Sequence, residues 1–210
     1  MPFLPAFLMQ LDIPAGSFEA YIFDCDGTLA DSMPLHYEAF QKSFVKMGVD
    51  IDLSPEVYYG LAGVPIHEFA RYLDKKYGTE IDSHELDEVK NQFYRDTIDQ
   101  VGPVQAVVDV LKASVGHQRI AVASGGTRHC VSRTLKLLEI DHLVEAVVTA
   151  EDVKRGKPAP DIFLKSAELL EVDPSACLVF EDAGLGIEAA HAAGMQAVHV
   201  KTHPYEKLVI

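Results

Sequence analysis

The sequence predicts an α/β fold, a doubly wound parallel-sheet core interrupted by an all-helical insertion. Short continuous apolar runs recur along the chain, and amphipathic helical patterns alternate with them, as a βαβα order requires. One long stretch, about 34–101, breaks that alternation and keeps apolar residues at helical spacing only.

The first run is Ala20-Tyr21-Ile22-Phe23, which ends in acids. Arg119 to Ala123 ends in Ser124-Gly125-Gly126, and Glu145 to Val148 ends at Thr149. Cys177 to Phe180 ends in Glu181-Asp182, and Ala197 to Val200 closes the series. Runs without polar alternation suit parallel strands covered on both faces. Helices are expected over Val104–Val115, Thr127–Leu138, Pro160–Leu170 and Gly184–Ala193, with Pro160 at an early helical position and Gly194 just past the last.

The insertion carries Leu35, Ala39, Phe40, Phe44 and Met47, then Phe69, Leu73 and Tyr77, then Leu86, Val89, Phe93 and Ile98. That spacing gives roughly four helices. Met33-Pro34 and Gly102-Pro103 are its expected hinges, so residues 1–33 and 102–210 form the core and 34–101 the insertion.

A chain of 210 residues with 48% hydrophobic and 24% charged residues can bury a globular core. Its net charge of −14, from 32 acidic and 18 basic residues, repels nucleic acid and anionic lipid. No nucleic-acid or membrane partner is expected. The same charge repels a phosphorylated small molecule, so any phosphate site must bring its own cations. Cys25, Cys130 and Cys177 are widely separated and lack metal-ligand spacing, which argues against a disulfide framework or a zinc site and for a reducing, cytoplasmic setting. Met1 to Leu11 is apolar but lacks a basic flank, and is read as a tail that packs on the body or on a neighbouring subunit rather than as a signal peptide. A monomer or a homodimer is expected.

Ligands of a parallel sheet bind at the carboxyl ends of its strands. Asp24-Cys25-Asp26-Gly27-Thr28, Ser124, Lys157 in the Gly156-Lys157-Pro158 turn, and Glu181-Asp182 all fall there. Asp24 and Asp26, two residues apart at a strand end, are expected to face the same way while Cys25 points into the core. Carboxylates so close repel one another unless a cation joins them. Mg²⁺ suits them, because it takes oxygen ligands and keeps room for water and substrate phosphate. Asp182 taken alone could instead cap the helix that follows.

The four segments, in this order, resemble the motifs of the haloacid dehalogenase superfamily over nearly the whole chain. Leu29-Ala30-Asp31-Ser32, His36, Gly156-Lys157-Pro158-Ala159-Pro160-Asp161 and Phe180-Glu181-Asp182-Ala183 look like its beta-phosphoglucomutase and sugar-phosphatase branch. The resemblance implies a Rossmann-like core with an inserted α-helical cap domain that closes over the substrate. It implies Asp24 as nucleophile, forming an aspartyl-phosphate, and Asp26 as general acid and base. Ser124, Gly125 and Lys157 would hold the phosphoryl group. Mg²⁺ would be held by Asp24, Asp26 through its carbonyl, Asp182 and Glu181. His36 matches a hinge-side His of that branch and Lys90 a cap Lys, both placed toward the substrate. An acid at position 26 favours phosphoryl transfer over dehalogenation.

The mutase branch carries an Arg after the Gly-Val of its cap loop, which grips a second phosphate. Here the loop reads Gly63-Val64-Pro65-Ile66-His67, and Ile66 cannot clamp a phosphate. Hydrolysis of a small sugar phosphate is therefore expected, with beta-phosphoglucomutase activity as the alternative. A non-catalytic binding protein on the same fold is the alternative of another class. Gly184-Leu185-Gly186-Ile187-Glu188-Ala189 mimics a dinucleotide fingerprint, but two acids precede it and His203-Pro204 stands where a ribose-binding acid belongs. Ser124 lacks a nucleophile elbow, and the remaining histidines, His199 among them, are read as surface or helix residues.

Overall fold

The computed structural model describes residues 11–204; residues 1–10, most of the apolar N-terminal tail, lie outside the described residues. Five parallel strands form one sheet in the order β3-β2-β1-β4-β5. They are β1 (Ala20–Phe23), β2 (Arg119–Ser124), β3 (Ala146–Thr149), β4 (Cys177–Glu181) and β5 (Gln196–His199). The sheet grows outward from β1 first to one side and then to the other. The switch point therefore lies at the carboxyl ends of β1 and β4, where such sheets open a crevice.

Hydrogen-bonded register adds a final residue to three strands. Ser124 pairs with Thr149 and Glu181 with His199, so Ser124, Thr149 and Glu181 are the last residues of β2, β3 and β4. Apolar runs alone place those ends one residue earlier, because a polar strand-end residue leaves no hydropathy signal.

Eight α-helices are present among the described residues. Those of the sheet-bearing part are α5 (Gln105–Ser114), α6 (Arg128–Leu137), α7 (Asp161–Leu170) and α8 (Gly184–Ala192). Thr127 caps α6 by accepting from the Cys130 amide. Pro160 stands at the N-cap of α7 rather than inside the helix. Ile22, Ala121 and Val179 bury one face of the sheet against Phe163 and Leu170 of α7 and Ala189 of α8. Phe23 and Phe180, on adjacent strands, stack with ring centroids 4.7 Å apart.

Between β1 and β2 the chain makes four helices: α1 (Met33–Met47), α2 (Pro55–Gly60), α3 (Ile66–Tyr77) and α4 (Ser83–Thr97). Ser54 and Asp82 cap α2 and α4 through their side chains. Phe40, Phe44, Phe69, Leu73 and Leu86 form a separate core for these helices. The chain accordingly divides into two compact units, one of residues up to Asp31 with Pro103–Thr202, the other of Ser32–Gly102 with His203. Met33-Pro34 lies just past the division between the units at Asp31–Ser32. It lies in the first turn of α1, where proline's missing amide costs nothing. His203 places its ring 4.5 Å from that of Tyr59.

The Phe23–Phe180 stack sits in the middle of the sheet, and Phe180 has no exposed surface. Phe180→Ala is expected to lower the unfolding free energy by about 3–5 kcal/mol, read from urea unfolding curves.

Candidate active site

Strand β1 stops at Phe23, and the Asp24 amide still donates to the Phe180 carbonyl at 2.9 Å. Asp24 is thereby fixed directly beside β4, with only 5% of its surface exposed. The chain then folds back on itself. The amides of Thr28, Leu29 and Ala30 converge on the Cys25 carbonyl, and Gly27 adopts a φ of +85°. A Cβ on Gly27 would lie 2.3 Å from Oδ2 of Asp182, so both the backbone sign and the close approach demand glycine.

Asp26 lies past the end of β1, and its charge still acts on Asp24. Its Oδ2 also borders the loop after β2, 3.4 Å from where a Gly126 Cβ would stand. Ser124 Oγ borders the same point at 3.3 Å and accepts from the Gly126 amide at 3.0 Å. Asp26, Ser124 and the Gly125-Gly126 backbone thus share one small space, and the hydroxyl hydrogen of Ser124 stays available to an oxyanion.

Lys157 reaches in from the loop between β3 and α7. Its Nζ donates to Asp24 Oδ1 at 2.6 Å, to Glu181 Oε2 at 2.7 Å and to the Ala123 carbonyl at 3.2 Å. Its stem passes the Phe163 ring, 5.2 Å from Nζ to the centroid. Arg155 steadies the preceding turn with a two-pronged bond to Asp161, at 3.1 and 2.7 Å. Burial alone would lower the Lys157 ammonium, but the Asp24 and Glu181 charges, and its hydrogen bonds to them, hold it above its usual range.

Asp24, Glu181 and Asp182 each offer an oxygen within 4.8 Å of the others. All three are buried. Burial, and next the Glu181 charge, pushes Asp24 up to about 7 against the opposing pull of Lys157. Burial also raises Asp182, and the charges of Glu181 and Asp24 add to it. Three carboxylates against one ammonium leave two negative charges when all are ionised. The donors are all hard oxygens, and a divalent cation would balance them, so the residues fit Mg²⁺. The Asp26 side chain is not part of this trio.

Several contributors carried no readable role in the sequence. Thr28 Oγ1 donates to Asp182 Oδ1 at 3.3 Å. The Ala183 amide donates to Glu181 Oε1 at 3.0 Å. In α8, a Cβ on Gly186 would stand 2.1 Å from the Glu181 carboxyl carbon, so that glycine clears space for the acid. Asp182 makes no side-chain cap of α8. Each of these depends on a spatial neighbour far along the chain or across a turn, which residue spacing does not reveal.

His36 and Lys90 both lie in the helical unit. His36, on α1, stacks on the Tyr94 ring of α4 with centroids 3.7 Å apart. Lys90 Nζ stands 5.6 Å from the Phe40 ring centroid and 5.5 Å from that of Tyr94. The two are thus brought to one aromatic cluster, with Tyr94 as the shared member. The three cysteines are free thiols. Among the described residues, no helix is long and apolar enough to cross a membrane.

The family model for haloacid dehalogenase-like hydrolases matches residues 21–200. Fructose-1-phosphate phosphatase YqaB of Escherichia coli (strain K12) is 37% identical over 185 residues, covering 88% of this chain and 97% of its own. Beta-phosphoglucomutase of Bacillus subtilis (strain 168) is 30% identical over 190 residues, covering 87% and 83%. Among solved structures, beta-phosphoglucomutase from Clostridium difficile superimposes with a TM-score of 0.69 at 30% identity, covering 86% of this chain and 83% of that one.

The raised carboxyls set a pH dependence. Without a bound cation, burial holds the Asp24 carboxyl up at about 7, whereas an ordinary Asp carboxyl titrates near 3.8. Between those values the folded state binds more protons than the unfolded one, so the Asp24 contribution to stability falls as pH rises through this window. A cation that requires ionised ligands reverses the loss. Thermal melts should show a small Mg²⁺-induced rise in Tm near the lower end and a growing one up to and beyond pH 7.

Proposed function

Because the chain belongs to the haloacid dehalogenase-like hydrolase family, we propose that it is a Mg²⁺-dependent phosphatase of small sugar phosphates, working through an aspartyl-phosphate on Asp24. The observation that carries this reading is Lys157 Nζ lodged between Asp24 Oδ1 and Glu181 Oε2, beside Asp182. A buried carboxylate stripped of water but balanced by fixed charge is suited to attack phosphorus.

Asp24 attacks the phosphorus, and the ester P–O bond breaks. Asp26 gives its proton to the departing sugar oxygen. It then takes a proton from water, which attacks the aspartyl-phosphate, releasing inorganic phosphate and restoring Asp24. Ser124 Oγ, the amides of the Gly125-Gly126 turn and Lys157 would hold the phosphoryl oxygens. Mg²⁺, bound by Asp24, Asp182 and the Asp26 carbonyl, would supply positive charge to the phosphoryl group and keep the nucleophile ionised. Glu181 spends its oxygens on Lys157 and the Ala183 amide, so we assign it to hold the lysine.

We assign choice of sugar to the helical unit acting as a cap, with His36, Lys90 and the Tyr94 ring as its candidate reading group. Ile66, the first residue of α3 after Gly63-Val64-Pro65, supplies no cation for a second phosphate, which favours hydrolysis over intramolecular transfer. The similarity to fructose-1-phosphate phosphatase YqaB points the same way. A cytoplasmic setting fits a small phosphorylated substrate.

A panel of phosphomonoesters assayed with Mg²⁺ should release inorganic phosphate most readily from ketose and aldose phosphates. Asp24→Ala should abolish release, even from p-nitrophenyl phosphate. Conversion of beta-glucose-1-phosphate to glucose-6-phosphate without free phosphate would instead establish the mutase. Gly186→Ala is expected to push Glu181 aside and loosen Lys157, lowering kcat by roughly 100-fold while the protein stays folded by circular dichroism.

A further inference from the structure

We propose that His199, at the end of the edge strand β5, is a positioning residue for Asp182 and thereby sets the affinity of the cation site. This rests on the reading of Asp182 as a cation ligand. His199 Nε2 lies 2.9 Å from the Asp182 carbonyl oxygen. An oxygen of that kind only accepts, so Nε2 carries the hydrogen and donates. One residue on, the Val200 amide donates to the Glu181 carbonyl at 2.8 Å.

Successive carbonyls of a regular strand point to opposite sides. Here the carbonyls of Glu181 and Asp182 are satisfied from the same side, by Val200 just past β5 and by His199 at its end, so the backbone has rotated out of the strand at Asp182. That rotation begins the turn into α8, and the Asp182 carboxylate is presented from it. A main-chain donor serves the first carbonyl, and the second takes its hydrogen from a side chain. The His199 hydrogen bond therefore fixes, from the β5 edge, the peptide that follows Asp182. The carboxylate is already tied by Thr28 Oγ1 at 3.3 Å and packed against the Gly27 Cα, so a small backbone rotation displaces it directly. His199 itself is exposed, and its loss leaves no buried cavity.

Two variants separate donor from bulk. His199→Phe keeps a ring without the hydrogen, and His199→Gln places an amide N–H near Nε2. Isothermal titration with Mg²⁺ should give a dissociation constant about ten-fold weaker for His199→Phe and near wild type for His199→Gln. At saturating Mg²⁺ the substrate KM should be unchanged in both. In metal-free protein, amide hydrogen exchange at Ala183 should speed in His199→Phe and recover in His199→Gln. Unchanged exchange at Ala183 and unchanged Mg²⁺ affinity in His199→Phe would overturn the proposal, as would failure of His199→Gln to restore either. If the wild-type protein took up no Mg²⁺ and released no phosphate, the phosphatase reading would fall, and the exchange arm alone would decide whether His199 holds the Asp182 peptide.

Discussion

The short contacts of the Lys157 ammonium with Asp24 and Glu181 are the constraint around which the sheet-bearing unit is organised. Strand register produces half of that arrangement. Phe23 pairs with Phe180, so the next residues, Asp24 and Glu181, emerge side by side at the carboxyl ends of the two central strands. No local sequence preference would put two carboxylates there, and burying them is costly. The lysine must come from a third segment, and it does, along the Phe163 ring from the loop before α7. One ammonium serves two carboxylates and leaves Asp182 uncompensated. Burial first, and then that shortfall, raises the carboxyls of Asp24 and Asp182, which is the physical reason a divalent cation belongs in the proposed mechanism.

The same arithmetic resolves the conflict between a net charge of −14 and a phosphorylated substrate. The surface field opposes an anion at long range, but salt screens it beyond about 8–10 Å. What counts for binding is the field inside a buried crevice, where low dielectric magnifies each charge. A divalent cation against three acids and a lysine would make that crevice near neutral, and the amides after Ser124 add dipoles without adding acids. An acidic protein can hold phosphate in this way only if the local cations are fixed, which the contacts of Lys157 provide.

Much of this was legible in the sequence because apolar runs stop abruptly at polar residues. Asp24, Ser124 and Glu181-Asp182 stood out on that ground and Lys157 by its Gly156-Lys157-Pro158 turn, and the fold brings Asp24, Lys157, Glu181 and Asp182 together. The helical stretch was equally legible, since its apolar spacing never shortens to that of a strand. What escaped was geometry across turns. Asp26 was expected to face the same way as Asp24, but its place beside Ser124 and Gly126 arises across the loop after β2, which spacing does not reveal. Gly186 reads as part of a false nucleotide fingerprint, and its use is to leave space for Glu181. His199 reads as a surface residue and is exposed, yet it meets a carbonyl 17 positions earlier in the chain.

Seven consecutive positions, Phe180 to Gly186, concentrate these demands. Phe180 belongs to the core stack, Glu181 holds the lysine, and Asp182 faces the carboxylate trio. The Ala183 amide secures Glu181, and Gly186 clears room for it. A segment so loaded cannot also supply its own rigidity, because each side chain is committed to a different neighbour. Its support has to come from outside, from Thr28 on one side and from β5 on the other. Edge strands are usually the least constrained part of a sheet. Here the end of β5 and the residue after it hold both acidic residues by their carbonyls, so changes at this edge should reach the chemistry through Asp182 without touching any charged group.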